Sequence, residues 1–159
     1  MNDGKIAFQD VYPDWAAHCY GCGRLNEHGL KLKTYRDGVE SVTRFTPLSH
    51  HTAIPGYVYG GLIASVIDCH STGTAAAAAY RAEGRELGTA PELRFVTASL
   101  HVDYLRPTPI DAELVVRGKV EEVKGRKIVV SSELFAKGEL CARGRVVAVR
   151  APENLILGR

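Results

Sequence analysis

Asp68 is the one acid between Gly60 and Glu83, in a run of otherwise apolar, small or uncharged side chains that ends near Arg81. A carboxylate in such surroundings can attack an acyl carbon or take a proton from water. It can equally be a helix acid that meets a hydrogen-bond donor in the fold. Eight residues earlier, Gly60 and Gly61 open the same run. The first amides of a helix lack an intrahelical acceptor and carry the positive end of its dipole, so they suit the oxygen of an acyl group that is gaining negative charge. A tight helix entry also favours glycine. The separation of Gly60 and Asp68 is about 12 Å along a helix axis, more than one thioester group spans. A site using both therefore takes Gly60 from one chain and Asp68 from another, across two antiparallel helices, and implies a homodimer.

Other residues carry weaker signals. Tyr59 precedes the glycines; its phenol can donate to a substrate or pack at a seam. His51 stands in the loop before them and suits a structural hydrogen bond. His70 shares a helix face with Ile63 and Ile67 and reads as a satisfied core histidine. Cys19-x-x-Cys22 has metal-like or redox-like spacing, but a structural zinc takes four ligands and no second close pair exists, so no metal is expected.

The whole chain restricts the classes available. It has 159 residues, 45% hydrophobic and 24% charged, with a net charge of +2. That suits one globular domain and excludes disorder as the main state. The small, unclustered positive excess argues against nucleic acid as a partner. No apolar stretch approaches the ~20 residues of a membrane span, and the N-terminus lacks the plan of a signal peptide. The expected location is the cytoplasm, with reduced cysteines. No cofactor is expected.

These residues must be positioned by a helix and strands. Residues 1–29 read as an irregular segment draped over the core of a single domain. Leu30–Tyr35 alternates apolar and polar, Arg36-Asp37-Gly38 signals a turn, and Val39–Phe45 reads as a second strand. Residues 46–58 read as a loop. Residues 60–83 form one helix, non-polar nearly all round and therefore buried, ended by Gly84. From residue 92 the pattern is β, and turns at Lys124-Gly125-Arg126 and Lys137-Gly138-Glu139 make the last three strands an antiparallel meander. A lone two-sided helix must be covered by a sheet that curls around it. The expected fold is α+β: five or six antiparallel strands wrapped on one central helix, the hotdog fold.

The segment His51-Thr52-Ala53-Ile54-Pro55-Gly56-Tyr57-Val58-Tyr59-Gly60-Gly61, followed by Asp68, resembles the loop-to-helix motif of hotdog acyl-CoA thioesterases, in the phenylacetyl-CoA thioesterase-like branch. Thr97-Ala98-Ser99-Leu100-His101-Val102-Asp103-Tyr104-Leu105-Arg106-Pro107 and Cys19-Tyr20-Gly21-Cys22-Gly23 resemble further parts of that family. Tyr59 stands where the family has histidine, and Ala53 where it has glycine. The resemblance implies hydrolysis of an acyl-CoA, with Asp68 as nucleophile or general base, the Gly60 amide polarising the carbonyl, and Thr97 positioning water or acid. By alternation Thr97 lies off the Leu100 face and turns to the helix only if the strand bulges near Ala98. Substrate contacts are expected from Gly61, Tyr59 and His51, and phosphate contacts from Arg106, Lys124 and Arg126, all three also readable as solvated turn charges. A homotetramer built from two dimers stays open, as does the acyl group. The rival readings are a non-catalytic acyl-ligand binder and a hotdog hydratase or dehydratase.

Overall fold

A computed structural model describes residues 6–156. Two short 3-10 turns, Phe8–Val11 and Asp14–Ala16, precede β1 (Thr34–Asp37) and β2 (Glu40–Phe45). The helix α1 (Gly60–Ala82) follows, then β3 (Phe95–Tyr104), β4 (Leu114–Lys124), β5 (Lys127–Ala136), β6 (Glu139–Arg150) and a terminal turn α2 (Glu153–Ile156). All six strands form one sheet in the order β1-β2-β4-β5-β6-β3, with every pair antiparallel. The curled sheet on one long helix is the hotdog fold. No helix among the described residues is long and apolar enough to cross a membrane.

The sheet meets the helix closely because its concave face is small where the helix is large. Ser41, Gly118, Ser132 and Gly144 lie in one row across β2, β4, β5 and β6. A Cβ on Gly118 would come within 2.5 Å of His70 Nε2, and one on Gly144 within 2.4 Å of Ile67 Cγ2. Ile63, Val66, Ile67 and His70 fill that trough, each 3% exposed or less. The other side of the helix is covered in part by the N-terminal segment, whose Phe8, Tyr12, Cys22 and Leu32 are buried.

The helix stops at Gly84, which adopts φ +65°. The Gly84 amide donates to the Arg81 carbonyl and the Arg85 amide to that of Tyr80, which closes the last turn. Strand β1 is the one clear departure from its expected span. It begins at Thr34 and not at Leu30, because Lys31 takes φ +57° and breaks the extended run. The Lys31 ammonium caps the carbonyls of Gly23, Arg24 and Asn26, so this segment serves the Cys-x-x-Cys loop. The Leu30 and Leu32 amides pair with the carbonyls of Tyr20 and Gly21.

Candidate active site

The helix start, the middle of the helix and β3 build the site. Tyr59 is the N-cap and supplies no side-chain hydrogen bond, so the first turn of α1 is not closed off by a polar side chain. The loop before it is tied down from both ends. The His51 carbonyl accepts the Tyr59 amide at 2.9 Å, and the Thr108 carbonyl accepts the Val58 amide at 2.8 Å. His51 Nδ1 accepts the Leu48 amide at 2.9 Å. Burial and then the adjacent His50 hold the imidazole below its usual pKa. His51 thus shapes the loop that delivers Gly60.

Tyr59 is exposed, and its ring lies over Gly61, where a Cβ would meet Cε1 at 2.3 Å. On the other flank the Tyr104 hydroxyl donates to the Gly60 carbonyl at 2.7 Å. Gly60 and Tyr104 line an open pocket with Ile63, Leu105 and Arg106. Arg106 pairs there with Glu139 at 3.2 Å. Tyr104 was not singled out from the sequence. Its place at the end of the Leu100 face, opposite the helix start, was the available signal.

Two turns along the helix stands Asp68, half-buried, with the Thr97 hydroxyl donating to its Oδ1. That contact depends on an irregularity in β3. Thr97 opposes Ala148 and Ser99 opposes Val147, so Ala98 is an extra residue and the register slips. The slip reverses the alternation, and Thr97 reaches the helix on the same side as Tyr104. Burial pushes the Asp68 carboxyl above its usual range, and the Thr97 hydrogen bond opposes this.

The remaining residues divide. Lys124 and Arg126 sit in the β4–β5 turn, where Arg126 donates to the Arg150 carbonyl at 2.8 Å. Arg150 opposes Phe95, the far end of β3 from Tyr104. Ten residues of strand, roughly 30 Å, separate that end from Gly60 within one chain. His70 faces away from Asp68 into the sheet. Its Nδ1 bonds Thr43 Oγ1 at 2.8 Å and its Nε2 bonds Ser41 Oγ at 3.1 Å. An acid–imidazole pair of the kind hydration chemistry uses does not form between Asp68 and His70.

Comparison with known proteins identifies the family. The model of the thioesterase superfamily matches residues 55–149. A crystal structure of a thioesterase superfamily protein from Shewanella loihica PV-4 is 47% identical, with a TM-score of 0.69, covering 91% of this chain and 99% of that one. Acyl-coenzyme A thioesterase THEM4 from Xenopus laevis is 36% identical over 93 residues, 58% of this chain and 36% of the relative. Its Mus musculus counterpart is 34% identical over 105 residues, 65% of this chain and 40% of the relative. The chain thus spans well under half the length of these curated relatives. A family match over more than half of the sequence shows that the chain belongs to the thioesterase superfamily.

Proposed function

We propose that the protein hydrolyses an acyl-CoA thioester to the free acid and coenzyme A. Water adds to the acyl carbon, the carbon–sulfur bond breaks, and the thiol leaves with a proton. The observation that carries this reading is the Thr97–Asp68 hydrogen bond, which aims a half-buried carboxylate on the helix that opens at Gly60. Asp68 attacks the acyl carbon or deprotonates water, and the Gly60 amide receives the developing oxyanion. Thr97 positions the acid. The acyl-CoA substrate is supported by the names of the THEM4 relatives.

The site is shared between two chains of a homodimer. Gly60 and Asp68 are too far apart on one helix to serve one thioester. Strand β3 lies at the sheet edge with Val96, Leu100 and Tyr104 between 39% and 53% exposed, a long apolar edge suited to pairing with a second copy. In such a dimer Arg106 stands by the carbonyl end of the site, and Lys124 and Arg126 are left to meet coenzyme A phosphates from the opposite direction.

Thiol release from an acyl-CoA panel tests the reading. Asp68→Asn keeps size and hydrogen bonding and removes the charge. Its rate is expected to fall at least ~10²-fold, with folding and assembly kept. Full turnover by Asp68→Asn, or binding without hydrolysis by the parent, moves the protein to the non-catalytic ligand-binding class.

A further inference from the structure

Three of the four cysteines converge beside the proposed site. The sulfurs of Cys19, Cys22 and Cys69 all lie within 4.8 Å of one another, and those of Cys19 and Cys69 are 3.8 Å apart. The first two come from the N-terminal loop and the third from the helix, one residue after Asp68. A tetrahedral ion with metal–sulfur bonds of about 2.3 Å sets its ligand sulfurs about 3.8 Å apart. The cluster is therefore close to the size of such a site.

The surroundings are built for sulfur anions. The loop can turn this tightly only with glycine: a Cβ on Gly21 would lie 2.2 Å from Cys69 Sγ, and one on Gly23 would lie 2.4 Å from the Cys19 nitrogen. The Gly23 amide closes the loop onto the Cys19 carbonyl at 2.7 Å. The Nη1 atom of Arg94 is buried without a hydrogen-bond partner. The guanidinium lies 4.5 Å from the Tyr12 ring centre, and the Tyr12 hydroxyl is likewise buried and unpartnered. A divalent ion with three thiolates carries one net negative charge, opposite in sign to the half-buried guanidinium of Arg94.

We propose that Cys19, Cys22 and Cys69 bind one thiophilic d10 cation of the Zn2+ class, with a fourth coordination position left for an exogenous ligand. Binding releases the thiol protons to solvent. The ion ties the N-terminal loop to the helix next to Asp68 and serves positioning, with no part in thioester hydrolysis itself. A disulfide between Cys19 and Cys22 would use the spacing but not the third sulfur.

The test uses the full chain, reduced and stripped with a chelator, titrated with Zn2+ alone against a chromophoric competitor. One Zn2+ per chain is expected. Co2+ in its place gives thiolate-to-metal charge-transfer absorption, and Zn2+ protects three of the four thiols from alkylation. Cys22→Ser and Cys69→Ser weaken binding by at least ~10²-fold, whereas Cys141→Ser leaves it unchanged. Should the serine variants fail to fold, stoichiometry, cobalt spectrum and alkylation of the parent chain decide. Uptake below about one tenth of an ion per chain overturns the proposal, as does absence of the charge-transfer band. A Cys19–Cys22 disulfide in a chain that takes up no Zn2+ once reduced overturns it in favour of a redox pair. Asp68→Asn is expected to retain the ion, so loss of hydrolysis and loss of metal are separate outcomes.

Discussion

The amide of Gly60 can be removed without removing the helix. Proline lacks the N–H, and the first helical position is where proline fits best. Tyr59 before it already has φ −61° and ψ 132°, extended values that a following proline accepts. A Cβ at position 60 would sit 3.4 Å from the Tyr104 ring, ordinary contact. Gly60→Pro is therefore expected to fold normally and to lose ~10²–10³-fold in the rate of thiol release, the cost of one oxyanion donor. A parent-like rate in a correctly folded Gly60→Pro would show that this amide does not hold the oxyanion.

At the scale of elements, two contacts between helix and sheet decide stability. Alanine in a strand is favoured over glycine by roughly 0.5–1 kcal/mol. At Gly144 that gain is opposed by a contact of 2.4 Å with the fully buried Ile67. Overpacking of this kind costs about 1–3 kcal/mol, so Gly144→Ala is expected to lower the urea midpoint despite the better strand former. The second contact is a polar chain. Gln9 donates to Thr34 Oγ1 and Thr74 donates to the His70 carbonyl; between them hydrogen bonds join Thr34 to Thr43, Thr43 to His70 Nδ1, His70 Nε2 to Ser41 and Ser41 to Thr74. Every side-chain partner of the ring is a neutral hydroxyl, so no carboxylate offsets a charge on it. Burial lowers the His70 pKa to about 3. The unfolded chain binds that proton from about pH 6.5 downward and the folded chain does not, so His70's contribution is full above pH 6.5 and is lost as pH falls toward 3. Unfolding free energy is expected to drop by up to ~1.4 kcal/mol per pH unit across that window, beyond the acid sensitivity of a His70→Asn control. Equal slopes in the two proteins would remove His70 from the account.

For the whole molecule, the proposed shared site makes a quantitative forecast. Gly60→Pro and Asp68→Asn each spoil both sites of their own homodimer. In a heterodimer one site receives both intact residues and the other receives both altered ones. Unfolding and refolding an equal mixture gives half heterodimers, so about a quarter of the parent activity should return. Sedimentation of each variant alone should show the dimer. Activity that stays at the sum of the two variants would mean that each chain carries a complete site.

What the residue order determined by itself was the architecture and the main residues of the proposed site. A helix apolar on both sides needs a curled sheet, and the strand alternation with glycine turns at 125 and 138 supplied one. Gly60, Asp68 and their separation were legible because helix rise is a constant of the backbone. His70 was legible as core from its helix face alone. Three matters were left to the tertiary structure. The bulge at Ala98 arises from pairing with β6, and only that slip turns Thr97 to Asp68. The late start of the first strand follows from Lys31 folding back on three carbonyls of a loop before it. The third sulfur of the cysteine cluster stands 47 residues beyond Cys22, and only the packing of the N-terminal loop on the helix brings it there. Local geometry is written in spacing along the chain; meetings between distant segments depend on register and packing, which spacing does not encode.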